Sequence, residues 1–280
     1  MRRLIWQNPT HMTKAVVAIL LAMTAVPVSA QWLSYPTAGI PRTPDGKPNR
    51  SAPTPRTRDG RPDLSGIWQL EPSPCNPQSI GGCGDYPAGR EFGNIGARLT
   101  GGLPYQPWAA DIVKKRTADL GKDDPVSWCQ PAGALRLLTY PPYRKIIQTP
   151  GVTVILSERD VTYRQIFTDG RPLPKDPSPS WNGYSIGRWE ADTLIVETIG
   201  FRDGTWLDRN GSPMTDAAKM TEKFRRANFG NLNVEVTIDD PKAYTKPWTV
   251  TLHQMIVPDT ELLDYYCQEN EKDTRHLVGK

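Results

Sequence analysis

The sequence predicts a mainly β fold: an antiparallel up-and-down barrel or sandwich, with one or two short helices and an extended proline-rich N-terminal arm. Three observations carry this. From residue 152 onward, strand-sized runs follow one another almost without a break. Tight polar turns separate them, with Gly or Asp at the corners. Their clearest members alternate strictly, as in Leu232, Val234, Val236 and Ile238 against Asn233, Glu235, Thr237 and Asp239. A sheet this long must close on itself or pack on another, because open edges invite aggregation.

The centre of the meander is Trp181-Asn-Gly-Tyr-Ser-Ile-Gly-Arg-Trp-Glu-Ala-Asp-Thr-Leu-Ile-Val-Glu-Thr198, two strands around the turn Glu190-Ala191-Asp192. Before it, 152–158 and 163–167 read as a hairpin around Arg159-Asp160. After it, 221–229 and 232–239 pair around Gly230-Asn231, and 248–257 pairs with 261–267 around Pro258-Asp259. Eight strands in sequential hairpins match small barrels that hold one ligand. Residues 107–120 read as a helix, with Pro107 in the first turn and Gly121 past the end. A second short helix is expected from Ser212 to about Met220.

The domain plan has three parts. Residues 1–30 read as a signal peptide: Arg2, Arg3 and Lys14 precede the apolar run AVVAILLAMTAVPV, and Val28-Ser29-Ala30 supplies a cleavage site. That run is too short to span a bilayer as a helix, so no stable membrane span is expected and the location is periplasmic or secreted. Residues 31–63 form the arm, studded with prolines and carrying a duplication. Pro41-Arg-Thr-Pro-Asp-Gly-Lys-Pro48 recurs as Pro55-Arg-Thr-Arg-Asp-Gly-Arg-Pro62, with an echo at Asp169-Gly-Arg-Pro172. The arm reads as a strap over the barrel, with docking of an envelope protein partner as the alternative. Residues 64–280 form a single barrel domain, with a loop and helix insertion at about 71–130.

The net charge is +4, and losing Arg2, Arg3 and Lys14 leaves +1. Without basic blocks, no nucleic-acid binding is expected. The cysteines, Cys75, Cys83, Cys129 and Cys267, allow several pairings. The favoured one joins Cys75 to Cys83 across a Pro/Gly-rich loop and Cys129 to Cys267. No Cys-x-x-Cys occurs, and His253 and His276 alone follow the signal, so no metal is expected. No phosphate-cradling loop or dinucleotide fingerprint calls for a cofactor.

Leu64-Ser-Gly-Ile-Trp68 resembles the Gly-x-Trp opening of lipocalin-like (calycin) barrels, through Gly66 and Trp68. That resemblance implies a Trp plugging one barrel end. The chain past the signal is also similar to uncharacterised exported bacterial proteins with a Thr-Ala-Gly-Ile-Pro-Arg arm (Thr37 to Arg42) and a Gly-Arg-Trp-Glu-x-Asp-Thr-Leu hairpin (Gly187 to Leu194). This second likeness implies export and a shared fold, and brings no activity with it.

Candidate chemistry rests on few residues. His253 lies mid-strand and would act as a general base if its face lines a cavity. Glu197 and Glu222 are the carboxylate candidates, able to move protons if burial raises their pKa. Arg164 and Arg225 could clamp an anion. Trp181, Tyr184, Trp189, Tyr163 and Tyr265 supply aromatic surface near strand ends. The leading reading is an exported protein binding a small apolar or aromatic molecule in its barrel. A cofactor-independent lyase, isomerase or hydrolase, and an envelope scaffold, are the alternatives. The sequence itself names no reaction.

Overall fold

A computed structural model of the chain describes residues 35–73 and 89–267. The predicted signal peptide, Cys75 and Cys83 lie outside the described residues. In chain order the elements are β1 (Gly66–Leu70), α1 (Arg90–Gly93), α2 (Pro107–Ala118), a 3-10 turn at Pro125–Trp128, α3 (Ala134–Thr139), β2 (Arg144–Thr149), β3 (Val152–Ser157) and β4 (Thr162–Phe167). There follow β5 (Tyr184–Glu190), β6 (Thr193–Ile199), β7 (Thr205–Trp206), β8 (Pro213–Met214), β9 (Lys219–Arg226), β10 (Asn231–Asp239) and β11 (Trp248–Ile256).

Nine of these strands close a barrel in the order β1-β11-β10-β9-β6-β5-β4-β3-β2, and β7 and β8 form a separate two-stranded sheet. Alternation explains which side chains fill it. Met220, Glu222, Phe224 and Arg226 of β9 are buried, as are Leu232, Val234, Val236 and Ile238 of β10. Trp248, Val250, Leu252, Gln254 and Ile256 of β11 continue the same inner face. Among the described residues no helix is long and apolar enough to cross a membrane.

Four expectations need correction. Residues 261–267 are not a strand, because the free edge of β11 is taken by β1, with Trp68 opposite Ile256. The tail instead runs outside the barrel and meets Arg159 through an isolated bridge at Tyr265. Arg144–Thr149 is an unexpected strand whose Arg, Lys and Gln hide its period, yet it pairs with β3 from Arg144–Ser157 to Thr149–Val152. β4 and β5 run parallel, because the proline-bearing 168–183 connection carries the chain back to the end where β4 began. Finally, Pro213–Met214 is a strand. Thr215 hydrogen-bonds Asp240 through both its N–H and its hydroxyl, at 2.8 Å each, where a helix was expected.

The arm crosses the barrel end formed by the β2–β3, β5–β6 and β9–β10 turns. Its two repeats adopt one design. Thr43 N–H donates to Lys47 O and Gly46 N–H to Thr43 O, and Thr57 N–H donates to Arg61 O and Gly60 N–H to Thr57 O. In each, the arginine donates to its own turn glycine and to a barrel aspartate. Arg42 meets Gly46 O at 3.0 Å and Asp259 at 2.6 Å. Arg56 meets Gly60 O and Asp192, both at 2.7 Å. Backbone bonds from Phe229 N–H to Ala52 O and from Gly230 N–H to Arg50 O seat the segment between the repeats.

α2 buries only Ala109. It ends in a Schellman arrangement: Gly121 N–H donates to Arg116 O at 2.8 Å, and Leu120 N–H to Thr117 O at 3.1 Å. Leu120 sits in the left-handed region at φ 55° and is 75% exposed. A non-glycine residue is strained there and this one packs on little. Leu120→Gly is therefore expected to raise stability by about 1 kcal/mol in urea unfolding.

α3 closes the opposite barrel end. Every one of its residues is buried, Arg136 included, and Leu135 and Leu138 share one apolar cluster with Ile146, Ile155 and Val234 of the barrel interior. Gly133 leads into it at φ +81°, where a Cβ would meet Thr205 Cγ2 at 2.9 Å and the Trp181 carbonyl at 3.1 Å. Only glycine fits this entry. Arg136 forks onto Asp124, with Nη1 to Oδ1 at 2.7 Å and Nη2 to Oδ2 at 2.5 Å. The Cys129–Cys267 disulfide, between cysteines 138 residues apart, staples the tail beside this end.

Candidate functional site

Beneath α3 the barrel interior turns polar. Arg164 projects inward from β4 and Glu222 from β9, and they form a buried bidentate pair, Nη1 to Oε1 at 2.9 Å and Nη2 to Oε2 at 2.5 Å. Arg164 also donates to Ser185 Oγ from Nε at 3.1 Å and to Thr198 Oγ1 from Nη2 at 2.8 Å. Ser185 and Thr198 are cross-strand partners, and their hydroxyls lie 3.0 Å apart. All four side chains are buried.

A second guanidinium stands beside this cluster. Arg144 is 2% exposed. Its Nη1 donates to the carbonyls of Leu137 at 3.0 Å, Tyr140 at 2.7 Å and Pro142 at 2.9 Å. Its Nη2 donates to Gln254 Oε1 at 2.8 Å, and Gln254 Nε2 in turn donates to Leu138 O at 2.9 Å. Carbonyls at and just beyond the C-terminal end of α3, which the helix cannot satisfy itself, are thus met by two barrel side chains. Among the described residues no carboxylate contacts Arg144. Burial pulls its pKa down to about 9, opposed by the negative charge of Glu158. Glu158 itself accepts from the backbone N–H groups of Tyr143 and Leu263.

A slot of about 10 Å³ runs between α3, β3 and β4, lined by Leu137, Leu138, Arg144, Ser157, Arg164 and Asn182 among others. That is room for roughly one water. A second space of about 10 Å³ lies deeper, between Leu138, Trp68, Phe224 and Gln254. Ser157 Oγ and Asn182 Oδ1 are buried and make no hydrogen bond. Ser157 stands directly opposite Arg144 in the β2–β3 register, so both point into the same space.

Of the residues expected from sequence, the structure brings together Arg164 and Glu222. His253 and Glu197 do not join them. Alternation turns Leu252 and Gln254 inward on β11, so His253 faces out, 2.8 Å from Asn233 Oδ1. On β6, Val196 and Thr198 are buried, and Glu197 pairs outside with Arg188 at 2.7 Å. β9 and β10 separate the two, so no His–Glu acid–base pair forms among the described residues. Arg225 is exposed on the outer face of β9.

The aromatics scatter. Tyr163 is 63% exposed beside the slot. Trp181 lies under the Arg202 guanidinium at 5.4 Å. Tyr184 stacks near Phe167 at 5.3 Å and accepts from Arg171. Trp189 packs on the core from the arm side, with Arg61 over it at 5.9 Å. Tyr265 faces Arg159 on the tail at 5.1 Å.

Sequence reasoning missed Arg144, Ser157, Asn182, Ser185 and Thr198. Gln254 left a trace, as one polar residue on the apolar face of its strand.

Another buried carboxylate, Asp208, is spent on structure. It accepts from Ile95 N–H, Ser212 N–H and Ser212 Oγ at 2.9, 3.0 and 2.7 Å. Burial pushes its pKa up against those bonds. Ser212 Oγ also lies 2.7 Å from the Tyr105 hydroxyl. Burial pushes the Tyr105 phenol up to about 12, with the charge of Asp208 adding to it and the Ser212 bond opposing. A phenol raised in the folded state stabilises the fold below its ordinary pKa of about 10 and loses that contribution as pH rises toward about 12. Urea midpoints are therefore expected to hold from pH 8 to 9 and fall between 10 and 12, less steeply in Tyr105→Phe. Among the described residues no group of three or more His, Cys, Asp or Glu is placed to hold a metal ion. The chain matches no protein-family model, no curated protein and no solved structure.

Proposed function

We propose that this chain binds a small apolar or aromatic molecule at the α3 end of its barrel. The observation that carries the reading is the polar floor there. Two guanidiniums, one carboxylate, three hydroxyls and the Gln254 amide sit where apolar side chains would serve a purely structural core as well. Replacing a buried ion pair by packed apolar residues is commonly neutral or stabilising. The slot over that floor opens beside Tyr163 and Asn182 and carries polar atoms with no protein partner.

Small-molecule pockets usually measure about 300–1,000 Å³, so binding requires α3 to yield. Moving a side chain such as Leu138 out of the core costs about 2 kcal/mol, which lowers apparent affinity about 30-fold. The reading thus implies a small ligand and a slow-opening mouth. An exported setting agrees with the Cys129–Cys267 bridge. A lipocalin-like plug agrees with Trp68, which is buried with its Nε1 donating to Leu64 O at 3.0 Å and the Arg226 guanidinium 4.8 Å from its ring centre.

The test is mass spectrometry of small molecules retained by protein purified from its native source. A reproducible, near-stoichiometric molecule that is lost in the Arg164→Leu/Glu222→Leu double variant is the expected result. An empty protein, or equal retention by the variant, contradicts the reading. A second reading, an interaction protein, has its own observation. Trp128, Leu263, Tyr265 and Tyr266 are exposed on and around the stapled tail. Under that reading, removing 263–267 abolishes partner capture and leaves small-molecule retention untouched.

A further inference from the structure

We infer that the head group taken by this site is an anion: the carboxylate of a small aromatic or short aliphatic acid, held between Arg144 and Ser157. The inference rests on the reading that the slot beneath α3 is the binding site, and it narrows the ligand class.

Charge is the first reason. Two guanidiniums line the slot. Glu222 compensates Arg164 through both of its oxygens. Arg144 has only neutral partners: three backbone carbonyls and the Gln254 amide oxygen. The acid that acts on it through space, Glu158, is engaged by two backbone N–H groups. The slot therefore carries an uncompensated positive charge in a setting where solvent barely reaches, and such a charge favours an anion strongly.

Donor geometry is the second reason, and it is independent of charge. A guanidinium has donors on Nε and on both Nη atoms. Arg144 uses Nη1 fully, while its Nε–H and the second Nη2–H make no hydrogen bond to the described residues. Ser157 Oγ, on the residue directly across the strand pair, is buried and also unpartnered. These adjacent donors match the two oxygens of a carboxylate. Asn182 Oδ1 is a second unpartnered polar atom lining the slot, and as a pure acceptor it suits a ligand hydroxyl or water better than the anion itself. Leu137, Leu138, Ala134 and Ile155 complete the lining and would face the apolar body of the acid.

The α3 carbonyls on Arg144 explain how the site stays closed when empty. They occupy the guanidinium that the carboxylate would share, and Gln254 holds one more of them. Binding and α3 seating thus use different donors of one guanidinium, the carbonyls taking Nη1.

The experiment is calorimetric titration of the full chain with benzoate and with benzamide, its neutral isostere, at low chloride. Benzoate is expected to bind at least 10-fold more tightly, because a hydrogen bond to a charged group is worth about that factor or more. Ser157→Ala is expected to weaken benzoate about 10-fold and benzamide by clearly less, because the hydrogen bond to a charged group is the stronger. Arg144→Met removes the carbonyl contacts of α3 and tests folding as much as binding, so Ser157→Ala is the deciding variant. Equal binding of the two probes, or a Ser157→Ala variant that loses both alike, overturns the anion. Failure of both probes at millimolar concentration overturns it too. The wider reading then stands or falls separately on whether the native protein retains a neutral molecule.

Discussion

Replacing Glu222 by leucine is expected to lower stability by about 3–5 kcal/mol, the cost of leaving a buried charge without its partner. Glu222 has no exposed surface and Arg164 has almost none, so neither charge can turn to water. Ser185 and Thr198 would remain bonded to one another but offer Arg164 no negative charge. The Arg164→Leu/Glu222→Leu double variant is expected to recover most of the loss, within about 1–2 kcal/mol of the parent, because two apolar side chains then fill the space. Denaturant midpoints of both single variants and the double variant give the coupling directly. Additive losses would mean that the pair is not coupled in the way its geometry implies. A recovered double variant that no longer retains small molecules would separate the structural role of the pair from its proposed role in binding.

Removing the Cys129–Cys267 disulfide is expected to cost about 3–5 kcal/mol. The bridge closes a loop between cysteines 138 residues apart, for which the chain-entropy relation gives about 5 kcal/mol before strain and residual structure reduce it. For a chain of this size the melting temperature should fall by roughly 10 °C. The paired substitution Cys129→Ala/Cys267→Ala removes this bridge alone and is the probe of choice. The tail should loosen first, because past Asp259 it is held mainly by Lys145–Glu261, Leu263 N–H on Glu158 and the Arg159–Tyr265 contacts. Hydrogen exchange that rises at 260–267 ahead of the barrel strands would bear this out. Uniform loss across the barrel would contradict it.

The barrel was legible wherever one strand face is apolar and the other polar, as in β10 and β11. It was illegible at β2. Arg144 and Gln148 disguise β2, although Arg144 is buried because helix carbonyls satisfy it. α3 is short and apolar nearly all round, and short apolar runs do not separate helix from strand. The tail misled because Leu262, Leu263, Tyr265 and Tyr266 look like strand residues, yet the edge they would pair with belongs to β1.

The site shows the same division. Arg164 and Glu222 were each visible as candidates. Their pairing spans 58 residues and follows only from strand register, which no local pattern supplies. Glu197 and His253 both proved to lie on outer faces, a side of the wall that the sequence left open. Their strands turn their apolar neighbours inward, and a one-residue shift in phase moves a side chain across the wall.

The central claim is that the slot beneath α3, over Arg144, Ser157 and Arg164, is where this protein takes its ligand. The most direct measurement is a crystal structure of protein carrying the molecule it retains from its native source. The expected result is density between α3 and the β3–β4 wall, in contact with Ser157 Oγ and the Arg144 guanidinium, with Leu137 and Leu138 displaced. Density on the outer aromatic face around Tyr265, with α3 seated and the slot unchanged, would contradict it.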